Sequence, residues 1–538
     1  MNNKKKIRIP VIICLTAITI IAGIHFGIQS WLNQQLPLLL NEHPERKYNI
    51  SYDKAHLHLL KQNLIIDNVS IIELADSINP SYIQIDKLKA YHLQLRKLFV
   101  NKEIETHDLI VVHPVFNIVV HQNTTEQNKE KMNEIWTDVF TRLSIKNFEI
   151  TNAAFRLMRD QDLEPTLQMD QLNLKINTFN IDTTTLKNPF PLKFSSLNAS
   201  CSSTQIRIDT IGFLKIKKII LTDHSIQLQQ SSFQPLLTKS EFIDVQRDKD
   251  NWLSFNMDQL ILNNFSWAFD SSGTPFIKAS SFQLDSIVLQ SVTDKQFLRQ
   301  HKGYRPLLAE IFRSLPVKFQ LDSFRVLNSA VFAETRPINN NTTAKASFDN
   351  LYISGYNLHN ISKLTRNTEF DILCRFMNEA KLEAHYVMNV NDNQDRFRIN
   401  GSLNNLTTES VNRILQPLAD IETAGQLYGI DFDVLADNYQ STGTVDFEYN
   451  NLKILVRNKN KDSKNSLLTA LSNLALRGSN VRSNRSFRQG EIQLARDQNK
   501  SIFGYIWDSV KDGLTNTLIP FNLDQNRPVL RRKKKLKN

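Results

Sequence analysis

Glycine and proline are scarce in this chain of 538 residues, which contains 14 glycines and 16 prolines. Typical usage is about 7% and about 5% of residues, so collagen-like, linker-rich and low-complexity architectures are excluded. The hydrophobic fraction of 41% is large enough for most of the chain to fold, which excludes disorder except at the ends. The length exceeds what one compact core accommodates, so we expect several domains or one elongated architecture.

Cysteine is also scarce, with only Cys14, Cys201 and Cys374. No CxxC pair or Cys/His cluster is present, so a structural zinc site is not expected. Cys201 and Cys374 could form a disulfide in an oxidising compartment, or they could be two separate buried thiols.

Recognisable catalytic motifs are missing. The sequence contains no P-loop, no GxGxxG fingerprint, no GxSxG nucleophile elbow and no HExxH zinc motif. His56 and His58 alternate on a predicted strand and form a weak metal pair, but no third ligand lies near them in the sequence. We therefore expect an exposed strand face there, and we predict neither enzyme activity nor a cofactor.

Most of the chain carries almost no net charge. Residues 1–8 hold four cations and residues 531–538 hold six, with no acid in either segment, which leaves +1 of the total +11 for residues 9–530. A nucleic-acid-binding protein should carry its positive charge on the folded surface. Nucleic acid is therefore not an expected partner.

One long apolar segment is present, at residues 11–28 (VIICLTAITIIAGIHFGI), and it has no formal charge. As a helix it would span about 27 Å, close to the hydrocarbon thickness of a bilayer. The preceding cations predict a cytoplasmic N-terminus and place the remainder of the chain on the far side of the membrane. The alternative is a cleaved signal peptide, but no A-x-A-like site follows, so we favour an uncleaved anchor.

An eight-residue pattern recurs along the rest of the chain: apolar, x, apolar, polar, x, apolar, x, apolar. Alternation is typical of a strand with one apolar face, but the third and sixth positions lie three residues apart, which would reverse the face. A bulge or a short turn at the polar position restores the phase. The copies begin at Leu64, Ile83, Leu143, Leu167, Ile206, Phe255, Phe282, Phe319, Ala346 and Phe447.

The polar fourth position is aspartate in eight of these copies. Such widely separated carboxylates lack the spacing of a calcium-binding loop, so we expect them to shape the backbone rather than to bind a metal. These residues are Asp67, Asp86, Asp170, Asp209, Asp258, Asp285, Asp322 and Asp349.

Repeated pairs of short strands predict a growing antiparallel sheet. Its apolar face could pack on a second layer, or it could line an open groove. Positions one, three, six and eight of three copies are the candidate groove-lining residues, whereas Gln283, Asp285, Gln320 and Asp322 are expected to face water. The candidates are Phe255, Met257, Leu260, Leu262, Phe282, Leu284, Ile287, Leu289, Phe319, Leu321, Phe324 and Val326.

Helical spacing of apolar residues interrupts the strands in four places. Three of the predicted helices, at residues 132–143, 307–315 and 411–418, are expected to pack over sheet ends, and Ser410 could cap the third. The fourth, at residues 502–518, is followed by the basic tail, which makes an interfacial role at a membrane arguable.

The predicted anchor followed by IxIDxLxL strands resembles the AsmA-like family of Gram-negative envelope proteins. Residues 52–114 resemble the N-terminal part of that family, with two strands, an LRKLF turn and a strand that continues as HPVFNI in order. Residues 411–456 resemble its C-terminal region, with a short N-x-x-L-x-P-L helix, a glycine-led strand and a G-x-x-x-x-x-Y-x-x-L-x-V strand. The order of these parts, rather than any one motif, carries the resemblance.

The resemblance implies a mainly β fold with interspersed helices, in which an elongated, twisted antiparallel sheet forms an apolar groove. It also implies a periplasmic location, attachment to the inner membrane and transfer of phospholipid, with a periplasmic or outer-membrane protein as a further partner. The alternative is a scaffold or regulator of outer-membrane protein assembly that does not carry lipid.

These features divide the chain into six predicted segments. A basic cytoplasmic stub and the anchor precede a long β-groove, an AsmA-like C-terminal β segment, a helical segment and a basic tail. The predicted bounds are 1–10, 11–28, 45–400, 401–458, 459–525 and 526–538.

Overall fold

A computed structural model of the chain confirms that the fold is mainly β, with 22 strands among the described residues in mixed parallel and antiparallel pairing. Of the predicted anchor, only residues 23 and 25–28 are described, and they are helical. Across the described part of the chain, no helix is both long and apolar enough to cross a membrane. The structure describes residues 23, 25–42, 46, 48–74, 80–101, 103–120, 141–159, 164–187, 192–209, 211–245, 251–270, 273–295, 303–338, 342–362, 364–456 and 477–518.

Unit 1 comprises Met1–Leu236 and Gln259–Gly273. Its strands from β3 to β10 pair in sequence order, and both β1 and β2 pair with β3. Helical residues 25–34 come before its other elements. Those elements are α1 (Leu36–Leu40), β1 (Tyr48–Ser51), β2 (Lys54–His58), β3 (Asn63–Glu73), β4 (Tyr82–Tyr91), a π-turn (Lys97–Asn101), β5 (Glu103–Val120), β6 (Arg142–Arg159), β7 (Leu167–Asp182), a 3-10 turn (Thr185–Lys187), β8 (Ser196–Ile208), β9 (Gly212–Leu221) and β10 (Ser225–Pro235).

Unit 2 comprises Leu237–Asp258 and Thr274–Asn538. Strand β11 (Trp252–Asn263) begins in unit 2 and ends in unit 1, and β12 (Ser266–Phe269) belongs to unit 1. The other elements of unit 2 are α2 (Lys239–Val245), β13 (Pro275–Asp285), β14 (Val288–Asp294), α3 (Leu308–Arg313), β15 (Lys318–Arg336), β16 (Ala344–His359), β17 (Thr368–Phe376), β18 (Ala380–Met388), β19 (Phe397–Asn404), α4 (Thr408–Ala419), β20 (Ile421–Ala436), β21 (Gln440–Val456), β22 (Gly490–Ala495) and α5 (Ile502–Leu518).

The pairing is mixed, whereas the sequence predicted an antiparallel sheet. Strands β5 and β6 run parallel, and β15 runs parallel to both β13 and β14. A parallel pair needs a long crossover, and the chain between β14 and β15 contains α3. The segment between β5 and β6 includes the predicted helix 132–143, most of which lies outside the described residues.

Three predicted helices occur close to their expected positions, as α3, α4 and α5. The predicted cap of α4 was wrong: the N-cap is Thr407, whose hydroxyl accepts a hydrogen bond from the Ser410 backbone N–H at 3.2 Å. Ser410 therefore lies inside the first turn of α4.

Helix α5 packs closely on β21 and β22, and glycine permits this approach. A Cβ atom at Gly513 would collide with the Val445 side chain, and one at Gly490 would collide with the Gly513 carbonyl. Helices α3 and α5 contribute Leu307, Ala309, Ile502, Tyr505, Val510 and Leu518 to the buried core of unit 2.

The cysteines of the two units are free buried thiols, Cys201 in β8 and Cys374 in β17, so no disulfide is formed between them. Burial raises the pKa of Cys201, and it raises the pKa of Cys374 to about 11. Both side chains are therefore protonated and unreactive at neutral pH.

Candidate functional site

A row of left-handed residues crosses the sheet of unit 1. The row takes one residue from each of β3, β5, β6, β7, β8 and β10; these six residues have φ between 49° and 67°, and all six are exposed. The strand registers align them across the sheet, with Asp86 of β4 and Lys217 of β9 completing the row. The left-handed row consists of Asn68, His113, Asn152, Gln171, Ser203 and Gln230.

Three of the four repeat aspartates of unit 1 lie next to this row, and the fourth, Asp209, follows the end of β8. Asp67 and Asp170 directly precede left-handed residues, Asp209 itself has φ 41°, and Asp86 lies 3.1 Å from His113 Nδ1. The expectation that these aspartates accompany backbone irregularities is therefore confirmed in unit 1.

In unit 2 the same expectation is confirmed for two aspartates only. Asp285 and Asp349 precede the left-handed residues Ser286 and Asn350, whereas neither Asp258 nor Asp322 is followed by one. Among the described residues, none of the repeat aspartates belongs to a group of side chains spaced to hold a metal ion.

The row keeps apolar residues on one face of the sheet. Ile85 and Leu88 of β4 are three residues apart, as are Ile150 and Ala153 of β6, yet all four pack into one apolar cluster. A regular strand would place residues three apart on opposite faces, and in β6 the left-handed Asn152 between Ile150 and Ala153 restores the phase. We call this cluster the β4–β7 apolar face; it consists of Ile85, Leu88, Val111, Phe116, Phe148, Ile150, Ala153, Leu172 and Leu174.

The β4–β7 apolar face is only partly covered. Val111, Ile150 and Ala153 are buried, and the other six residues are half-buried. No described helix contributes a residue to this cluster, and the helical residues near the N-terminus pack instead against Ala55 and Leu57 of β2. The face therefore presents apolar side chains from four adjacent strands.

The opposite surface of these strands carries ion pairs, together with Ile110 and Val112 of β5, which lie in register with Lys89 and Lys87. Lys87 pairs with Asp67 at 3.3 Å and Lys175 pairs with Glu149 at 3.4 Å. The Asn152 backbone N–H donates to Asn173 Oδ1 at 3.0 Å, which holds the left-handed residue in place. The two sides of the sheet therefore differ in charge, because these ion pairs lie opposite the β4–β7 apolar face.

The left-handed row can be tested at Asn152. A β-branched residue tolerates positive φ poorly, so Asn152→Val should destabilise the protein by about 1–2 kcal/mol. Asn152→Gly removes the same side chain but permits the backbone angle, and it should be close to neutral. Urea unfolding followed by circular dichroism measures both; equal destabilisation by valine and glycine would contradict the assignment.

The residues predicted to line a groove are distributed over both units. In unit 2, register places Phe282 opposite Phe324 and Leu284 opposite Val326. Phe255 likewise lies opposite Leu289.

The burial of this predicted set varies. Met257, Leu262 and Phe319 are buried, and the other nine residues, which include Ile287 and Leu260, are half-buried. Leu260 and Leu262 belong to unit 1. Of the four polar residues expected to face water, Asp322 is exposed and Gln283, Asp285 and Gln320 are half-buried.

Part of the predicted set lies in a closed core. Phe319, Leu321 and Phe324 pack with Leu308 and Phe312 beside α3. The rings of Phe312 and Phe319 are 6.1 Å apart. These three residues therefore contribute to an ordinary protein core.

The β4–β7 apolar face of unit 1 is formed by other copies of the eight-residue pattern. Copies beginning at Ile83, Leu143 and Leu167 supply most of the residues of this face. The sequence pattern includes these copies, but the candidate groove-lining residues were taken from three later ones. The predicted helices near the later copies were the only indication in the sequence that helices would cover the apolar residues of those copies. His56 and His58 are exposed on β2, as the sequence predicted.

Comparison of the sequence with protein-family models and with curated proteins gave no match. The resemblance to the AsmA-like family therefore stays a prediction from the order of its sequence features.

Proposed function

We propose that this protein is anchored in the inner membrane and shields or conducts phospholipid acyl chains in the periplasm, on the apolar face of its sheet. Its role would be to support outer-membrane lipid homeostasis or assembly. The observation that carries the proposal is the half-buried β4–β7 apolar face, to which no described helix contributes.

The physical argument concerns the cost of moving an acyl chain out of a bilayer. Each CH₂ group kept from water contributes about 0.8 kcal/mol. A surface that accepts these groups must be apolar and accessible, and a half-buried side chain meets both conditions. Apolar residues on adjacent strands, about 4.8 Å apart, would allow a chain to pass from one strand to the next without a deep energy minimum.

The sheet itself would not set the direction of phospholipid transfer. The sequence has no nucleotide-binding motif, so nothing in it couples transfer to hydrolysis. Movement would be passive along a concentration difference or driven by a partner protein.

Mass spectrometry of lipids that co-purify with the full chain tests the proposal after detergent has been exchanged for amphipol. We expect phospholipid with the wild type and clearly less with the double variant Leu172→Asp/Leu174→Asp. Lipid held around the anchor is the same in both proteins, so the difference reports on the apolar face. Equal phospholipid in the two preparations would contradict the proposal and favour a scaffold.

A further inference from the structure

A group of metal-ligand side chains lies at the end of the β4–β5 pair. Register places Tyr91 opposite Asp108, so His92, the residue after β4, lies beside His107 of β5. The two imidazole rings are 5.8 Å apart, and one ligand atom from each of His92, His107 and Asp108 lies within 4.8 Å of the others. His92 and His107 are far apart in the sequence, and the pairing of β4 with β5 brings their side chains together.

The backbone fixes the position of His92. This residue has φ 55°, and its N–H donates to Asn63 Oδ1 at 3.4 Å. The next residue, Leu93, donates its N–H to the Gln62 carbonyl at 2.8 Å. These bonds tie the left-handed turn to the neighbouring strand and hold the imidazole at the end of the sheet.

The carboxylate of Asp108 is oriented from two sides. Asn147 Nδ2 of β6 donates to Asp108 Oδ1 at 2.7 Å, and His107 Nδ1 lies 3.0 Å from Asp108 Oδ2. Burial acts to raise the pKa of Asp108, but the hydrogen bonds from Asn147 and His107 outweigh it and lower that pKa. Both contacts hold the carboxylate in a fixed orientation.

We propose that His92, His107 and Asp108 bind one divalent transition-metal ion of the zinc type, with water completing the coordination. Two imidazoles and one carboxylate are ligands that Zn²⁺ accepts. Ligand atoms of a tetrahedral zinc site would lie about 3.4 Å apart, because each bond is about 2.1 Å long. Small side-chain rotations would close the present spacing.

Asn147 has a separate part in this site. It would not touch the ion but holds Asp108 Oδ1, and the other oxygen, Oδ2, lies 3.0 Å from His107 Nδ1. Such outer partners commonly orient metal ligands. A bound ion would therefore link the end of β4 to β5 directly and to β6 through Asn147, and this role does not depend on lipid binding.

Isothermal titration of the full chain with ZnCl₂ tests the site, with MgCl₂ as a comparison ion. We expect one equivalent of Zn²⁺ to bind, Mg²⁺ not to bind there, and His92→Asn and Asp108→Asn each to weaken zinc affinity by about tenfold or more. The matched control is His56→Asn/His58→Asn, which removes two exposed histidines that have no comparable cluster. This control should retain the wild-type affinity.

Cobalt substitution supplies a second readout that does not depend on the stability of a variant. Co²⁺ bound to wild-type protein should give visible absorption of a nitrogen- and oxygen-ligated ion, and excess Zn²⁺ should abolish it. Absence of stoichiometric zinc binding by the wild type would overturn the proposal. Wild-type zinc affinity in both His92→Asn and Asp108→Asn would overturn it equally.

Discussion

Leu174→Asp is expected to slow phospholipid transfer by about tenfold or more, which corresponds to about 1.4 kcal/mol in the activation free energy of transfer. Leu174 is half-buried on the β4–β7 apolar face, so its replacement puts a carboxylate where acyl chains would lie. A charged group covered by hydrocarbon loses its water without gaining a partner, which costs far more than the lost apolar contact. Transfer of a fluorescent phospholipid between vesicles measures the rate.

The control for this variant is the neighbouring residue. Lys175 is exposed on the opposite surface, and its ion pair with Glu149 is of the exposed kind that contributes at most about 1 kcal/mol. Lys175→Asp therefore introduces the same carboxylate on the opposite side of β7 and should leave transfer unchanged. A folded Leu174→Asp protein that transfers lipid at the wild-type rate would contradict the assignment of this face.

Arg313→Ala is expected to destabilise unit 2 by about 3–5 kcal/mol, because it leaves a buried carboxylate without its cation. The Arg313 guanidinium donates to Asp395 Oδ1 at 2.7 Å and to the Val390 carbonyl at 2.6 Å. The Asp395 side chain is only 3% exposed. Chemical unfolding of the wild type and the variant measures the loss.

The acidity of Asp395 gives this prediction a pH dependence. Burial raises the pKa of Asp395 even though Arg313 acts to lower it, and removal of Arg313 should raise that pKa further. An acid with a raised pKa in the folded state binds protons more readily when folded, so stability falls as pH rises. The loss caused by Arg313→Ala should therefore be larger at pH 7 than at pH 5.

A second substitution checks the cause. Arg313→Ala/Asp395→Asn removes the unpaired charge and should recover part of the lost stability at pH 7. If the double variant were as unstable as Arg313→Ala at both pH values, the destabilisation would come from lost packing rather than from the buried carboxylate.

The sequence predicted which residues share a face more successfully than it predicted what covers them. The three-residue spacing of apolar residues was sufficient to infer an irregular strand position, and between Ile150 and Ala153 the left-handed Asn152 is its structural form. Leu321 follows the same spacing, but α3 packs beside it. Leu321→Asp would therefore disrupt a core and could not distinguish lipid binding from folding.

The eight-residue pattern could not predict strand direction or long-range contacts, because it contains only local information. Alternation is the same in parallel and antiparallel strands, so the parallel pairing of β5 with β6 left no local signal. The pairing of His92 with His107 depends on register between two strands, which a single sequence does not specify. Cys201 and Cys374 are buried separately, an outcome that residue spacing alone could not distinguish from a disulfide.

Photo-crosslinking from the apolar face tests the central claim most directly. Benzoylphenylalanine would replace Leu174 in one full-length protein and Lys175 in another, and both would be irradiated in cells before mass spectrometry of the purified chain. The account predicts phospholipid adducts from position 174 and none above background from position 175. Adducts of equal yield at both positions, or none at position 174, would contradict it.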